Sequence, residues 1–118
     1  MKIDNVGEFY YEDGYWECSP SQMNGSVLTI ETEIVSNNQI LIAQDICVHW
    51  DSKLDICIQY IEEVKDQYGL IARNFTNPNA FINSDTEWAI FFDTESELEA
   101  VIGVDFSGIE PFQLTIGD

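Results

Sequence analysis

At 118 residues, 45% of them apolar, the chain has the size of a single domain spanning residues 1–118 and can bury a core without disulfide or metal staples. Against 22 Asp and Glu stand only 4 Lys and Arg, a formal charge of −18; such a body repels phosphate backbones and anionic lipid and attracts basic proteins and cations. Composition therefore speaks against direct nucleic-acid or membrane binding, and the opening MKIDNVGEFYY carries no apolar stretch of the kind a signal peptide needs, so a cytoplasmic protein is the expectation.

The acids are distributed, seven up to Glu33, six from Asp45 to Asp66 and nine from Asp85 to Asp118, so the folded body itself is acidic rather than a tail. Cys18, Cys47 and Cys57 are odd in number and irregularly spaced, which reads as buried free thiols and not as a disulfide framework.

In chain order, Phe9, Tyr10 and Tyr11 are separated from Tyr15 and Trp16 by Glu12, Asp13 and Gly14. An Asp-Gly pair between aromatic runs predicts a hairpin with a type I′ turn, because both central residues need positive φ. Cys18 to Ser26 reads as a loop. Val27 to Val35 alternates Leu28, Ile30 and Ile34 against Thr29, Glu31 and Glu33, a strand with one wet face. Ser36, Asn37 and Asn38 then turn the chain into a strand at Ile40 to Ile42.

The long helical signal is Asp51 to Gly69. Leu54, Cys57, Ile58, Ile61, Val64 and Tyr68 fall on one helix face, Asp51 or Ser52 is the expected N-cap, with Asp55 completing a variant capping box, and Gly69 is the expected left-handed C-terminal residue. Burying five or six such side chains contributes on the order of 10 kcal/mol before entropy is charged. Ile46 and Trp50 extend the same face upstream, so the helix is expected from about 45 to 68, although Ala43 to Trp50 also fits a strand. After Gly69, Leu70 to Ala72 leads into a loop from Arg73 to Asn79. Strands then follow at Trp88 to Phe92, Ala100 to Phe106 and Phe112 to Ile116. The expected fold is α+β, an antiparallel sheet packed on one main helix. One helix covers one face, so Ala89 and Phe91 on the other face await loops, a second subunit in a homodimer, or a partner.

The residues offer starting points for three chemistries. Zinc would need paired ligands, and Cys47, His49 and Cys57 supply only a lone Cys-x-His; the expectation is no metal site and no cofactor. Asp93, Glu95, Glu97 and Glu99 alternate as at the start of an EF-hand loop, but Leu98 stands at the sixth position and Val104 at the twelfth, which speaks for a solvated turn. Nucleophilic catalysis would rest on Cys57 with His49, and Cys57 belongs to the buried stripe; no catalytic residue is assigned and no enzyme is expected. Glu62, Glu63 and Asp66 sit near the helix C-terminus, where the macrodipole disfavours them, and that placement suggests they serve a partner. The candidate partner-binding residues are thus Glu62, Glu63 and Asp66, then Asp93, Glu95, Glu97 and Glu99, then Glu12 and Asp13.

The aromatic hairpin through Tyr15 and Trp16, the Leu28 to Ile30 strand, Gln44, Ile61 with Tyr68, and the end from Trp88 through Phe92 and Asp93, Gly103 and Val104, to Ile116, Gly117 and Asp118 together resemble a family of small acidic bacterial domains of uncharacterised biochemistry. Some of that family are linked to polymorphic-toxin and contact-dependent inhibition loci as immunity proteins. The resemblance implies an inhibitor that neutralises a toxin, with a basic nuclease-type domain as the fitting target. It carries over no active site.

Overall fold

The computed structural model describes residues 1–117; Asp118, the last residue of the terminal motif noted above, lies outside them. Two short strands, β1 (Lys2–Ile3) and β2 (Gly7–Glu8), pair with each other. The main sheet has seven strands, β3 (Tyr10–Glu12), β4 (Tyr15–Cys18), β5 (Leu28–Ile30), β6 (Thr76–Ile82), β7 (Glu87–Asp93), β8 (Val101–Ser107) and β9 (Glu110–Gly117), in the spatial order β3-β4-β5-β6-β7-β8-β9. Every pairing is antiparallel except β5 with β6, which is parallel. Between those two strands the chain makes α1 (Asn37–Val48) and α2 (Trp50–Tyr68), so the α+β class holds, with two helices forming the second layer.

The single helix from about 45 to 68 is corrected to this pair, and Ile40 to Ile42, expected as a strand, lies inside α1. Ser36 is the cap: its hydroxyl accepts from the Gln39 amide at 3.2 Å, while the Gln39 side chain accepts from the Ser36 amide at 3.0 Å. α1 ends at His49, whose amide donates to Asp45 and whose carbonyl accepts from Lys53. His49 rather than Asp51 or Ser52 thus caps α2, and the expected box with Asp55 does not form. At the far end Gly69 adopts φ 63°, and the Leu70 amide closes onto the Lys65 carbonyl at 2.9 Å, the left-handed stop the sequence predicts.

The core lies between the helices and one sheet face. Trp88, Ile90, Phe92, Ile102, Val104 and Phe106 meet Ala43, Ile46, Trp50, Cys57 and Ile61, and Trp88 stacks on Phe106 with centroids 4.0 Å apart. Within the expected α2 stripe, Cys57 and Ile61 are buried and Leu54 and Val64 half-buried, but Ile58 and Tyr68 are exposed. Tyr68 instead uses its hydroxyl to accept from the Leu114 amide of β9 at 3.0 Å. Lys53 is the unexpected buried member of α2. Its ammonium reaches Asp45 Oδ2 at 2.8 Å and lies 5.6 Å from the Trp88 ring centroid.

Two strand expectations are also corrected. Only Leu28–Ile30 of the stretch to Val35 is a strand, and Thr29, assigned to a wet face, is buried between its cross-strand neighbours Glu17 of β4 and Phe81 of β6. Arg73 to Asn79 is not all loop, since β6 begins at Thr76. Its early residues escape the usual prohibition on proline because β5 pairs only from Ala80 onward, so the Pro78 edge has no strand ladder to serve. There the Asn79 side chain takes the ladder's place, accepting from the Val27 amide at 2.8 Å.

Among the described residues, no helix or second sheet covers the sheet face away from α1 and α2. On it Phe81 and Phe91 meet edge to face at 5.4 Å, and Phe91 lies across Gly103, where an added Cβ would fall 2.5 Å from the ring. Around this aromatic pair the register places Glu17, Thr29, Asp105, Gln113 and Thr115, so most of that face is polar.

Candidate partner-binding surface

The strand directions divide the candidate acids between two ends of the molecule. Asp93 closes β7, and residues 94–99 fold back before β8, with Thr94 Oγ1 donating to the Glu99 carbonyl at 2.6 Å. This turn is fastened to the segment that leaves α2. Glu99 Oε1 accepts from the amides of Ile71 at 3.0 Å and Ala72 at 2.7 Å, Glu95 accepts from Asn74 at 2.7 Å, and Asp93 accepts from Asn77 at 3.1 Å. A depression of 640 Å³ between α2 and residues 70–75 is lined by Glu62 and Asp66. The structure therefore brings the helix-end acids and the 93–99 acids into one region.

That region is of mixed sign. Lys65 and Arg73 both line the same depression, and Lys65 donates to Glu62 at 2.8 Å, a contact that holds the Lys65 ammonium above its ordinary value. Glu95, Glu99 and Asp93 are occupied in tying the turn to the chain. Of the seven acids, only Glu63, Asp66 and Glu97 have side chains that make no hydrogen bond or ion pair among the described residues.

Glu12 and Asp13 stand apart from both groups. The hairpin β3–β4 occupies the opposite edge of the sheet, and the parallel register of β5 with β6 sends its turn toward the end away from Asp93. The turn is as predicted: Asp13 has φ 52° and Gly14 φ 89°, which joins Glu12 to Tyr15 with two residues. In this register Tyr10 is opposite Glu17 and Glu12 opposite Tyr15, and alternation along each strand puts all four on one face. The outcome is a two-by-two array in which each tyrosine adjoins both glutamates, every side chain exposed. Tyr11 and Trp16 take the other face, with rings 5.0 Å apart.

The array forms one wall of an open cleft of 880 Å³, whose other walls are Val6 to Glu8 and Ser19 to Ser21. No Lys, Arg or His lines it. Glu8 is partly balanced, since it pairs with Lys2 across β1–β2 and lies 3.7 Å from the Met1 ammonium. Glu12, Asp13 and Glu17 have no such neighbour within hydrogen-bonding range among the described residues. Sequence reasoning named Glu12 and Asp13 but missed Tyr10, Tyr15, Glu17 and Glu8. The signal was present, because an Asp-Gly two-residue turn fixes the register and hence the shared face of residues 10, 12, 15 and 17.

The residues considered for metal or nucleophilic chemistry do not gather. Cys57 is buried in α2 and Cys47 lies 3.8 Å from the Met23 sulfur, while His49 Nδ1 sits 2.9 Å from Asp45. Burial pushes the Cys57 thiol up to about 12 and, with the neighbouring Cys18, the Cys47 thiol up to about 11. All three cysteines are free and buried. Among the described residues, no three His, Cys, Asp or Glu side chains are grouped so that they could hold a metal ion.

No protein-family model, curated protein or solved structure matches the chain. Among the described residues, no helix is long and apolar enough to cross a membrane.

Proposed function

We propose that this chain is a non-catalytic, immunity-type protein of the cytoplasm that neutralises a toxin by covering a basic, nuclease-type effector domain with its acidic surface. The observation that carries the reading is the disposition of the few cations within a body of charge −18: Lys53 is buried against Asp45, Lys65 is paired with Glu62, and the acidic cleft is lined by none. A nuclease keeps its active surface positive because it holds phosphate. An anionic framework is steered to such a surface, and complementary potentials fix its orientation, without chemistry of the inhibitor's own. Self-association is the weaker reading, because two copies each carrying −18 repel and the sheet face available for it is mostly polar.

The test is co-expression with toxin domains encoded beside the gene, followed by co-purification and a growth-rescue assay. A stable complex with a basic domain, and protection of cells from it, is the expected result. Toxicity undiminished by the protein, with no complex at micromolar concentration, would overturn the proposal.

A further inference from the structure

We infer that the β3–β4 cleft is the docking surface, and that it takes an extended, Arg- or Lys-bearing segment of a protein partner across the Tyr10, Glu12, Tyr15 and Glu17 array. This rests on the basic-partner reading above and names the part of the surface that makes contact.

Shape, charge and aromatic exposure coincide here. The cleft has a volume of 880 Å³, its lining carries Glu8, Glu12, Asp13 and Glu17 with no basic side chain, and Tyr10 is 73% and Tyr15 45% exposed. A guanidinium or ammonium seated on this array meets a ring face and a carboxylate together, since each tyrosine has glutamates beside and across from it. Tyrosine side chains lose little rotamer freedom when they are covered, and buried tyrosine and arginine anchors dominate protein interfaces. The strand itself favours an extended occupant. β3 is the sheet's edge, and a hairpin closed by a two-residue turn makes Glu12 and Tyr15 the hydrogen-bonded pair, which leaves the Tyr11 amide and carbonyl pointing outward.

The helix-end region is the competing surface, and its own groups weaken it. Lys65 and Arg73 stand within the depression, and Glu95, Glu99 and Asp93 are already hydrogen-bonded to the chain. A cationic partner there would meet like charge and would have to displace internal bonds.

The experiment measures binding of a fluorescent octa-arginine peptide, with a Gly-Ser peptide of equal length as blank, by anisotropy at two salt concentrations. Two variants remove the same charge at the two places: Glu12→Gln with Glu17→Gln in the cleft, and Glu63→Gln with Asp66→Asn at the helix end. A third, Tyr10→Phe with Tyr15→Ala, keeps the charge. The cleft pair should weaken binding about tenfold and the helix-end pair less than twofold, while the tyrosine variant should lose several-fold with the salt slope unchanged. Circular dichroism and thermal melts establish that each variant is folded, and Tyr10→Ala alone, at the more exposed ring, serves where the double substitution unfolds the hairpin. Equal weakening by the two charge-matched pairs, or full affinity in the folded tyrosine variant, would overturn the cleft. Either result would leave the basic-partner reading to stand or fall on the effector complex.

Discussion

Lys53 donates to Asp45 at 2.8 Å across the break between α1 and α2, one turn after His49 contacts the same carboxylate at 2.9 Å. Burial raises the Asp45 carboxyl, but the hydrogen bonds from Lys53 and His49 outweigh it and hold the group below its ordinary value of 3.8. Asp45→Asn leaves a buried ammonium without its counter-ion and should cost about 2 kcal/mol in urea unfolding at neutral pH. Lys53→Met should cost less, because Asp45 is 39% exposed and can hydrate. A carboxyl whose folded value is depressed contributes stability above the unfolded value and loses it as pH falls through the folded one. The gap between wild type and Asp45→Asn should therefore be full at neutral pH and close below about pH 4. A gap that stays constant down to pH 3 would contradict the pairing.

Phe91 occupies the space above Gly103, so a methyl there must displace the ring from the sheet. Gly103→Ala should lower stability by about 1 to 3 kcal/mol, and combining it with Phe91→Leu should recover part of the loss. Additive losses in the double variant would show that the ring and the glycine are not in contact.

Gln39 is buried and joins three segments: its side chain accepts from Ser36 and Thr32 and donates to the Ser84 carbonyl at 3.3 Å. Ser36→Ala should cost about 1 kcal/mol. Gln39→Leu orphans several groups at once and should cost about 2 kcal/mol, with faster hydrogen exchange in the first turn of α1. Exchange unchanged in both variants would remove the cap from the account.

With Cys57 at about 12, Cys47 at about 11 and all three thiols buried, a neutral-pH disulfide reagent should modify none rapidly in the folded protein and three per chain in denaturant. Fast labelling of one thiol under native conditions would show local opening around it.

The parts of the fold that were legible were those written in local turn chemistry or strong periodicity: the Asp13-Gly14 hairpin, the Gly69 stop, and strands β7 to β9. α1 is masked in the sequence although Ser36-x-x-Gln39 is a capping-box pattern, because the apolar run Ile40, Leu41, Ile42 favours a strand when taken alone. The break at His49 had no glycine or proline to announce it; it is set by tertiary packing, with Asp45 and Lys53 closing the corner. β6 was hidden by Asn77 and Pro78, which the chain accommodates with a bulge and a positive φ at Asn77. At the candidate surface the sequence offered acids without their neighbours. What separated the hairpin from the helix end was which carboxylates were already bonded, and that depends on contacts between distant segments such as Glu99 with Ile71.

The parallel seam between β5 and β6 has a consequence for how the protein assembles as it is made. Val27 and Asn79, which hydrogen-bond at the mouth of that seam, are 52 positions apart, and both helices lie between them. Strands β6 to β9 follow one another as neighbours and can zip up by short excursions, whereas the first thirty or so residues must wait for their docking slot to emerge. The hairpin with its tyrosines is thus joined to the sheet late in maturation, and a nascent chain completes its β3 edge only after the helical crossover is in place.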